Sequence, residues 1–153
     1  MDDQLNAMLA CDTLERSKRN LPARNIDASL TQTAQDLASN MASGRWPFSH
    51  AAGGGMSVRA ARNGWSGVEL AENIANGHDT AVATFEQWMN SRGHRANILD
   101  ASTDLCGFGH AVATNGEHYW VSCYGAKSSS GQGGGIGGGG RGWWRWIRGW
   151  LGV

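Results

Sequence analysis

Apolar side chains recur at helical spacing in the first third of the chain, and they predict two helices. In the first helix, Leu5, Met8 and Leu9 share one face. That helix ends before Pro22, because proline lacks a backbone donor and disfavours helix in the residue preceding it. The apolar face of the second helix consists of Leu30, Ala34, Leu37, Ala38 and Met41.

The boundaries of the next elements follow from capping and turn residues. Ser29 with Gln32 predicts a capping box at the start of the second helix, and Gly44 ends that helix. Residues 45–55 contain a proline and three consecutive glycines, which predict a loop. A short helix is then expected over residues 57–64.

A further helix and a strand pair complete the predicted domain. Asp79 is expected to cap the helix, whose core-facing residues are Val82, Phe85, Trp88 and Met89. After Asp100 the pattern alternates with a period of two over residues 105–112, which predicts a strand. Asn115-Gly116 predicts a two-residue hairpin turn, and residues 117–124 form the returning strand. Helices followed by a strand pair indicate an α+β domain.

The hairpin register decides how the cysteines are arranged. A two-residue turn at Asn115-Gly116 places Cys123 opposite Phe108, with Cys106 diagonally on the same face. Diagonal neighbours lie about 7–8 Å apart, near the limit for a disulfide. We therefore favour free thiols, with a Cys106–Cys123 bridge as the alternative, and expect Cys11 to be a buried free thiol.

Composition and charge narrow the class of protein. The chain has 153 residues, enough for one core of typical domain size, and its formal net charge is zero. Neutrality argues against a general nucleic-acid binder, and we expect a monomer. We divide the chain into a domain over residues 1–126, a flexible Gly/Ser-rich linker over 127–140 and a tail over 141–153.

Four short motifs occur in a fixed order along the predicted domain. They are Phe48-Ser49-His50, the Glu72-Asn73-Ile74-Ala75 run, the stretch from Trp88 through Ser91-Arg92-Gly93-His94 to Leu99, and Gly107-x-Gly109 followed by Tyr119-Trp120. Together they resemble the CAP superfamily (cysteine-rich secretory, antigen 5 and pathogenesis-related-1 proteins) in its short bacterial form. The resemblance runs from about residue 5 to residue 125 and implies a three-layer α-β-α sandwich.

The resemblance also implies a cleft and a location. The positions that match the family cleft are His50, Glu72 and His94, which we take as ligands for a divalent cation, zinc above all, and as the candidate catalytic residues. A small lipid is the other ligand class considered. An extracellular or cell-surface protein is implied, although Met1-Asp2-Asp3-Gln4 does not resemble a signal peptide.

One departure from the family pattern lowers the expectation of catalysis. Many CAP proteins place a glutamate just after the tryptophan matched by Trp88, where this chain has Asn90 and Ser91. We therefore favour a binding module. The alternatives are a metal-dependent hydrolase using the same cleft, and an effector that acts through surface loops. A Ser49–His94–Glu72 triad lacks the sequence context of a nucleophile.

The remaining polar residues of the predicted domain receive structural roles. Asn73 and Asn97 are expected to fix loops through bonds from side chain to backbone, and Trp88 to lie in the core. The other histidines are expected to be ordinary surface or strand residues: His78, His110 and His118.

The tail has a pattern that the family does not explain. On a helix, one face would carry Trp143, Trp146, Ile147, Trp150 and Leu151, bordered by Trp144, with Arg141, Arg145 and Arg148 opposite. Tryptophan and arginine together favour an anionic membrane surface. Docking on the domain or a partner, and a sorting tag read by a receptor, are the alternatives.

Overall fold

The computed structural model describes residues 3–127, and they form five α-helices and four strands. The helices are α1 (Asp3–Ser17), α2 (Ala28–Ala42), α3 (Met56–Arg62), α4 (Ala81–Asn90) and α5 (Arg92–Ile98). The strands are β1 (Asn25–Ile26), β2 (Val68–Asn76), β3 (Leu105–Val112) and β4 (His118–Ala126). The predicted linker and tail lie outside the described residues, apart from Lys127.

The strands form one mixed sheet in the order β1-β3-β4-β2. β1 runs parallel to β3, while β3 and β2 both pair with β4 in antiparallel fashion. Helix α2 packs on one face of the sheet, and α1, α4 and α5 pack on the other. The predicted α+β sandwich with three layers is therefore confirmed.

Alternation along the strands divides the core into two clusters, because successive side chains point to opposite faces of a sheet. The cluster beneath α1, α4 and α5 includes Met8, Phe85, Trp88, Ile98, Cys106, Phe108, Trp120 and Tyr124. The cluster beneath α2 includes Leu30, Ala34, Leu37, Met41, Ile74, Leu105, Val121 and Cys123. The apolar face predicted for the second helix is buried in full.

Two helix caps and one core residue differ from prediction. Asp27, not Ser29, caps α2, and its carboxylate accepts a hydrogen bond from the Leu30 amide over 3.0 Å. The cap of α4 is Thr80 rather than Asp79. The buried face of α4 runs through Ala81, Phe85 and Trp88, so Val82 lies off this face and is 48% exposed instead of facing the core.

The hairpin turn is one residue longer than predicted, which changes the register of β3 and β4. Val112 pairs with His118, and Gly116 takes a φ of 86° in a three-residue loop. Cys123 therefore lies opposite Gly107 rather than Phe108, and Cys106 and Cys123 belong to core clusters on opposite faces. A shift of one residue in register moves every side chain of a strand to the opposite face of the sheet relative to its partner strand.

All three cysteines are free thiols, and the register explains why Cys106 and Cys123 are not joined. Cys11 is half-buried instead of buried, because it lies toward the edge of the face that α1 packs against the sheet. Strands β1 and β2 and helix α5 were not predicted. Within the described residues, no helix is both long and apolar enough to cross a bilayer.

Two buried arginines tie α1 to the loop that precedes β3. Arg24 donates to the Asp12 carboxylate over 2.9 Å and lies 4.2 Å from the centre of the Tyr124 ring. Arg24 and Arg16 both donate to the backbone carbonyl of Ile98, over 2.9 and 3.0 Å. These bonds fix the end of α5 and so help to position the residues on that helix.

Candidate functional site

The three residues that the resemblance selects come from separate elements that meet at the edge strand β2. Glu72 lies on β2 itself, and His50 lies just before a 3₁₀ turn over Ala52–Gly54. His94 lies on α5. Since β2 is the last strand of the sheet, side chains from both helical layers can approach it from outside.

Two asparagines fasten α5 to β2. Asn97 donates to the Asn73 side-chain oxygen over 2.9 Å and to the Glu72 carbonyl over 3.3 Å. Asn73 in turn donates to the His94 carbonyl over 3.1 Å. Trp88 is fully buried, and its indole N–H donates to a backbone carbonyl of β2 over 3.3 Å. The core position predicted for Trp88 is confirmed. Asn73 and Asn97 make the predicted bonds from side chain to backbone, but these bonds join a strand to a helix instead of fixing loops, and they hold His94 beside β2.

Both oxygens of the Glu72 carboxylate are engaged. Oε1 lies 2.9 Å from His50 Nδ1, and Oε2 accepts from Arg59 Nη2 over 2.5 Å. The Cys123 sulfur lies 3.9 Å from Oε2 beneath the cleft. The carboxylate is 3% exposed, and burying an unpaired charge is costly. The guanidinium of Arg59 therefore supplies the buried carboxylate of Glu72 with a charged partner.

His50 is oriented by this carboxylate while its side chain remains half exposed. A carboxylate oxygen only accepts hydrogen bonds, so the contact requires a proton on Nδ1. In the neutral imidazole the lone pair is then on the second ring nitrogen, Nε2. A carboxylate bonded to one imidazole nitrogen is the usual way in which proteins prepare the other nitrogen to bind a metal or accept a proton.

His94 contributes a second imidazole that is half-buried. Its Nδ1 is buried and has no hydrogen-bond partner among the described residues. Burial, and to a smaller degree the charge of His50, lower the pKa of His94. The ring is therefore neutral at pH 7. A histidine must be neutral to bind a metal or to accept a proton from a donor.

The fit of a metal ion can be judged from these groups. Among residues 3–127, no group of three His, Cys, Asp or Glu side chains is arranged to hold a metal. Glu72 meets His50 but is also taken by Arg59, which leaves the imidazoles of His50 and His94 as the groups free to coordinate. Imidazole nitrogens suit zinc, and further positions on the ion would be filled by water.

The contacts of a Ser49–His94–Glu72 triad are not present among the described residues. The Ser49 hydroxyl accepts a hydrogen bond from the Ala51 amide over 3.1 Å, which is a turn contact. The histidine partner of Glu72 is His50. A serine nucleophile needs a hydrogen-bonded base, and the described geometry gives Ser49 none.

The sequence interpretation missed three features. Arg59 was not singled out, because nothing in its helical context marks it as a partner of Glu72. His110 Nε2 lies 2.9 Å from His118 Nδ1, and the His110 ring stacks on Trp120 with centroids 3.8 Å apart. The correct hairpin register would have placed these two histidines on one face. Cys123 beneath Glu72 also depends on that register.

Comparison with known proteins agrees with this architecture. The family model described as the cysteine-rich secretory protein family, CAP, matches residues 14–124. The uncharacterized protein YkwD of Bacillus subtilis is 30% identical over 106 residues, which are 63% of this chain and 38% of that protein. This chain therefore spans well under half the length of YkwD.

Solved structures show the same fold. An outer surface protein from Borrelia burgdorferi superposes with a TM-score of 0.76 at 21% identity, covering 84% of this chain and 97% of that one. An extracellular protein from Bacillus anthracis that contains an SCP domain gives a TM-score of 0.71 at 26% identity, covering 81% of this chain and 40% of that one. Because the family model spans most of the sandwich, including all three cleft positions, the chain belongs to the CAP family of cysteine-rich secretory proteins.

Proposed function

We propose that this protein is an extracellular CAP module that binds a divalent cation, zinc above all, in the cleft formed by His50 and His94. The observation that supports the proposal most directly is the pairing of His50 Nδ1 with the Glu72 carboxylate at 2.9 Å. In the neutral imidazole this pairing leaves the lone pair on Nε2, and a carboxylate on the other nitrogen is the usual partner of a zinc-bound histidine. Glu72 positions this imidazole and does not itself coordinate the ion.

His94 supplies the second ligand in this proposal. Its buried Nδ1 lacks a hydrogen-bond partner in the described residues, and such an atom is costly to leave unsatisfied. The lowered pKa of His94 keeps the ring neutral, so zinc does not compete with a proton at pH 7. Membership of a family described as secretory supports the extracellular location.

Calorimetric titration with zinc tests the proposal. The intact chain should bind in the micromolar range, and His50→Ala combined with His94→Ala should abolish the heat of binding. His78→Ala is the matched control, because His78 is exposed and only its backbone carbonyl, not its side chain, bonds Trp120. No binding by the intact chain would refute the cation site and direct attention to small lipids.

A metal-dependent hydrolase that uses the same cleft would behave differently from a binding module. A metal-dependent hydrolase needs a turnover that disappears in His94→Ala. In the described cleft the Glu72 carboxylate is held by Arg59, so it is poorly placed to accept a proton from water. An effector that acts through surface loops would retain its effect after alanine substitution of all three cleft residues.

We also infer that the 141–153 segment brings the module to an anionic membrane surface. The segment contains four tryptophans and three arginines and no acidic residue. Indole rings favour the headgroup region, and arginines pair with lipid phosphates. Liposome co-sedimentation of the intact chain and of a chain lacking residues 141–153, with vesicles containing anionic lipid, tests this inference. Equal pelleting of the two forms would refute it.

A further inference from the structure

The hairpin turn between β3 and β4 presents an asparagine-glycine step to solvent. Asn115 and Gly116 are both exposed, and no atom lies within 4 Å of the place that a side chain on Gly116 would occupy. A backbone nitrogen can attack the side-chain amide of an asparagine that precedes it, and glycine obstructs this attack least because it has no Cβ atom. The turn therefore has the residues and the space for an intramolecular reaction.

The hydrogen bonds around Asn115 favour this reaction. Its Oδ1 accepts from the backbone amide of Glu117 over 3.0 Å. A donor at this oxygen stabilises the negative charge that develops there when a nucleophile adds to the carbonyl carbon. Its Nδ2, the leaving group, donates to no group among residues 3–127. The Gly116 amide donates to the Ala113 carbonyl over 2.9 Å within the same exposed turn, so freeing this nitrogen breaks no bond between strands.

Two other asparagines of the chain precede a glycine, and the side-chain nitrogens of both are bonded to carboxylates. Asn76 Nδ2 donates to Glu117 Oε1 over 2.6 Å, and Asn63 Nδ2 donates to Asp36 Oδ2 over 3.0 Å. Each carboxylate holds the nitrogen that would have to leave, and its charge opposes the negative charge that would form on the amide oxygen. The fold therefore protects two asparagine-glycine steps and leaves the third unprotected.

We propose that Asn115 is a site of spontaneous deamidation, and that the fold restricts the reaction to this one of the three asparagine-glycine steps. The Gly116 nitrogen gives its proton to solvent and bonds to Cγ of Asn115. The bond from Cγ to Nδ2 then breaks, and Nδ2 leaves as ammonia with one proton from solvent. Addition of one water molecule opens the resulting succinimide ring at either carbonyl and gives aspartate or isoaspartate. No electrons are exchanged, since the net change consumes one water and releases one ammonia.

The reaction changes the charge and the backbone of the turn. Either product adds a negative charge to a chain whose formal net charge is zero. Isoaspartate also lengthens the backbone by one carbon atom, in a loop whose length sets the register of β3 and β4. Ion exchange can therefore separate deamidated molecules from the intact chain. The reaction does not involve the cleft of His50 and His94, so it is independent of the proposed function.

Incubation of the intact chain in mildly alkaline buffer, followed by peptide mass spectrometry, tests the proposal. Folded and guanidinium-denatured chains are compared, with reductant present in both. Asn63 and Asn76 are internal controls, because they precede glycine in the same molecule. In the folded chain Asn115 should react at least about tenfold faster than either control, the effect of one hydrogen bond to a charged group. In the denatured chain the three should react at similar rates, since only the folded state distinguishes them.

Two variants test the reason for this selectivity. Asn115→Gln should show neither the mass gain nor the charge change at this position, because attack on the longer side chain must close a larger ring. Glu117→Ala removes the carboxylate that holds Asn76 but keeps the backbone amide that donates to Asn115. It should accelerate the reaction of Asn76 and leave the rate at Asn115 unchanged.

The proposal has two parts, and each can fail separately. If Asn115 reacted no faster than Asn63 and Asn76 in the folded chain, its assignment as the deamidation site would be overturned. An unchanged rate at Asn76 in Glu117→Ala would overturn the explanation of how the fold restricts the reaction.

Discussion

The contact between α2 and β3 yields a stability prediction whose size follows from the structure. A Cβ atom added to Gly107 would lie 2.1 Å from the Thr31 amide nitrogen and 2.3 Å from the Leu30 carbonyl carbon. Ordinary contacts of this kind are about 3.5 Å. The helix would have to move away from the strand by roughly 1.3 Å, because the obstructing atoms are helix backbone and cannot rotate aside.

Such a movement separates α2 from the sheet along much of its length. Forcing one extra methyl group into a packed core costs about 1–3 kcal/mol, and we expect Gly107→Ala to lie at the upper end, about 3 kcal/mol. The midpoint of thermal unfolding should fall by roughly 10 °C. Urea unfolding followed by tryptophan fluorescence measures the loss directly.

Gly116→Ala is the matched control for this prediction. No atom lies within 4 Å of the position that the alanine methyl group would take at Gly116, but the φ of 86° there is unfavourable for alanine. The expected cost is about 1 kcal/mol, from backbone strain alone. If Gly107→Ala lost no more stability than Gly116→Ala, the close approach of α2 to β3 would be wrong.

Three further predictions concern charge and thiols. Arg24→Met should lower the free energy of unfolding by about 3–5 kcal/mol, because it leaves the buried Asp12 carboxyl without its guanidinium partner. Arg19→Met should lower it by less than about 1 kcal/mol, since its pair with Glu15 is exposed. Equal losses in urea unfolding would contradict the buried pair. Because the pKa of His94 is lowered in the native state, the unfolded chain binds a proton first as the pH falls below about 6.5. The free energy of unfolding should therefore decrease below that pH, and His94→Gln should make this decrease smaller. If the dependence on pH were the same in His94→Gln, His94 would not be its cause. Finally, thiol titration in denaturant without reductant should find three free thiols per chain, and a smaller number would show that a disulfide forms.

The longer helices α1, α2 and α4 could be predicted because their burial is periodic. The short helix α5 was not predicted, since Ile98 is its one buried residue. The apolar face of α2 was identified residue by residue, since each member lies three or four positions from at least one other member. The capping residues were harder to predict. Asp27, Ser29 and Thr80 are all suitable capping residues, and the choice among nearby candidates depends on where the preceding chain leaves the sheet.

Strand β2 could not be recognised from its residue pattern. Its buried segment includes Glu72 and Asn73, polar residues that sequence reasoning places outside a core. Both are satisfied by side chains from other parts of the chain, namely Arg59, His50 and Asn97. A strand that serves a site therefore loses the apolar alternation by which strands are recognised.

The hairpin illustrates how a small local error spreads. Asn115-Gly116 correctly predicted a turn, but a two-residue and a three-residue loop share the same sequence signal. The extra residue moved Cys123 from the face of Cys106 to the face of Glu72. Both the cysteine geometry and the stack of His110 with His118 depended on that single residue of register.

The cleft also could be predicted only in part. Two features reduce the number of carboxylates that can bind a cation there, and only one of them was visible in the sequence. The acid that many CAP proteins carry after the tryptophan is replaced here by Asn90 and Ser91, which was visible in the sequence. The engagement of Glu72 by Arg59 was not, because the two residues are 13 positions apart on different elements. Together they leave the described cleft with no carboxylate free to bind a cation.

A cation held here must therefore depend on His50 and His94, so its affinity should fall steeply as these imidazoles gain protons, more steeply than in a site with a free carboxylate ligand. Zinc titration at pH 7.5 and pH 5.5 measures that dependence, and equal affinities at the two values would show that the imidazoles are not the ligands.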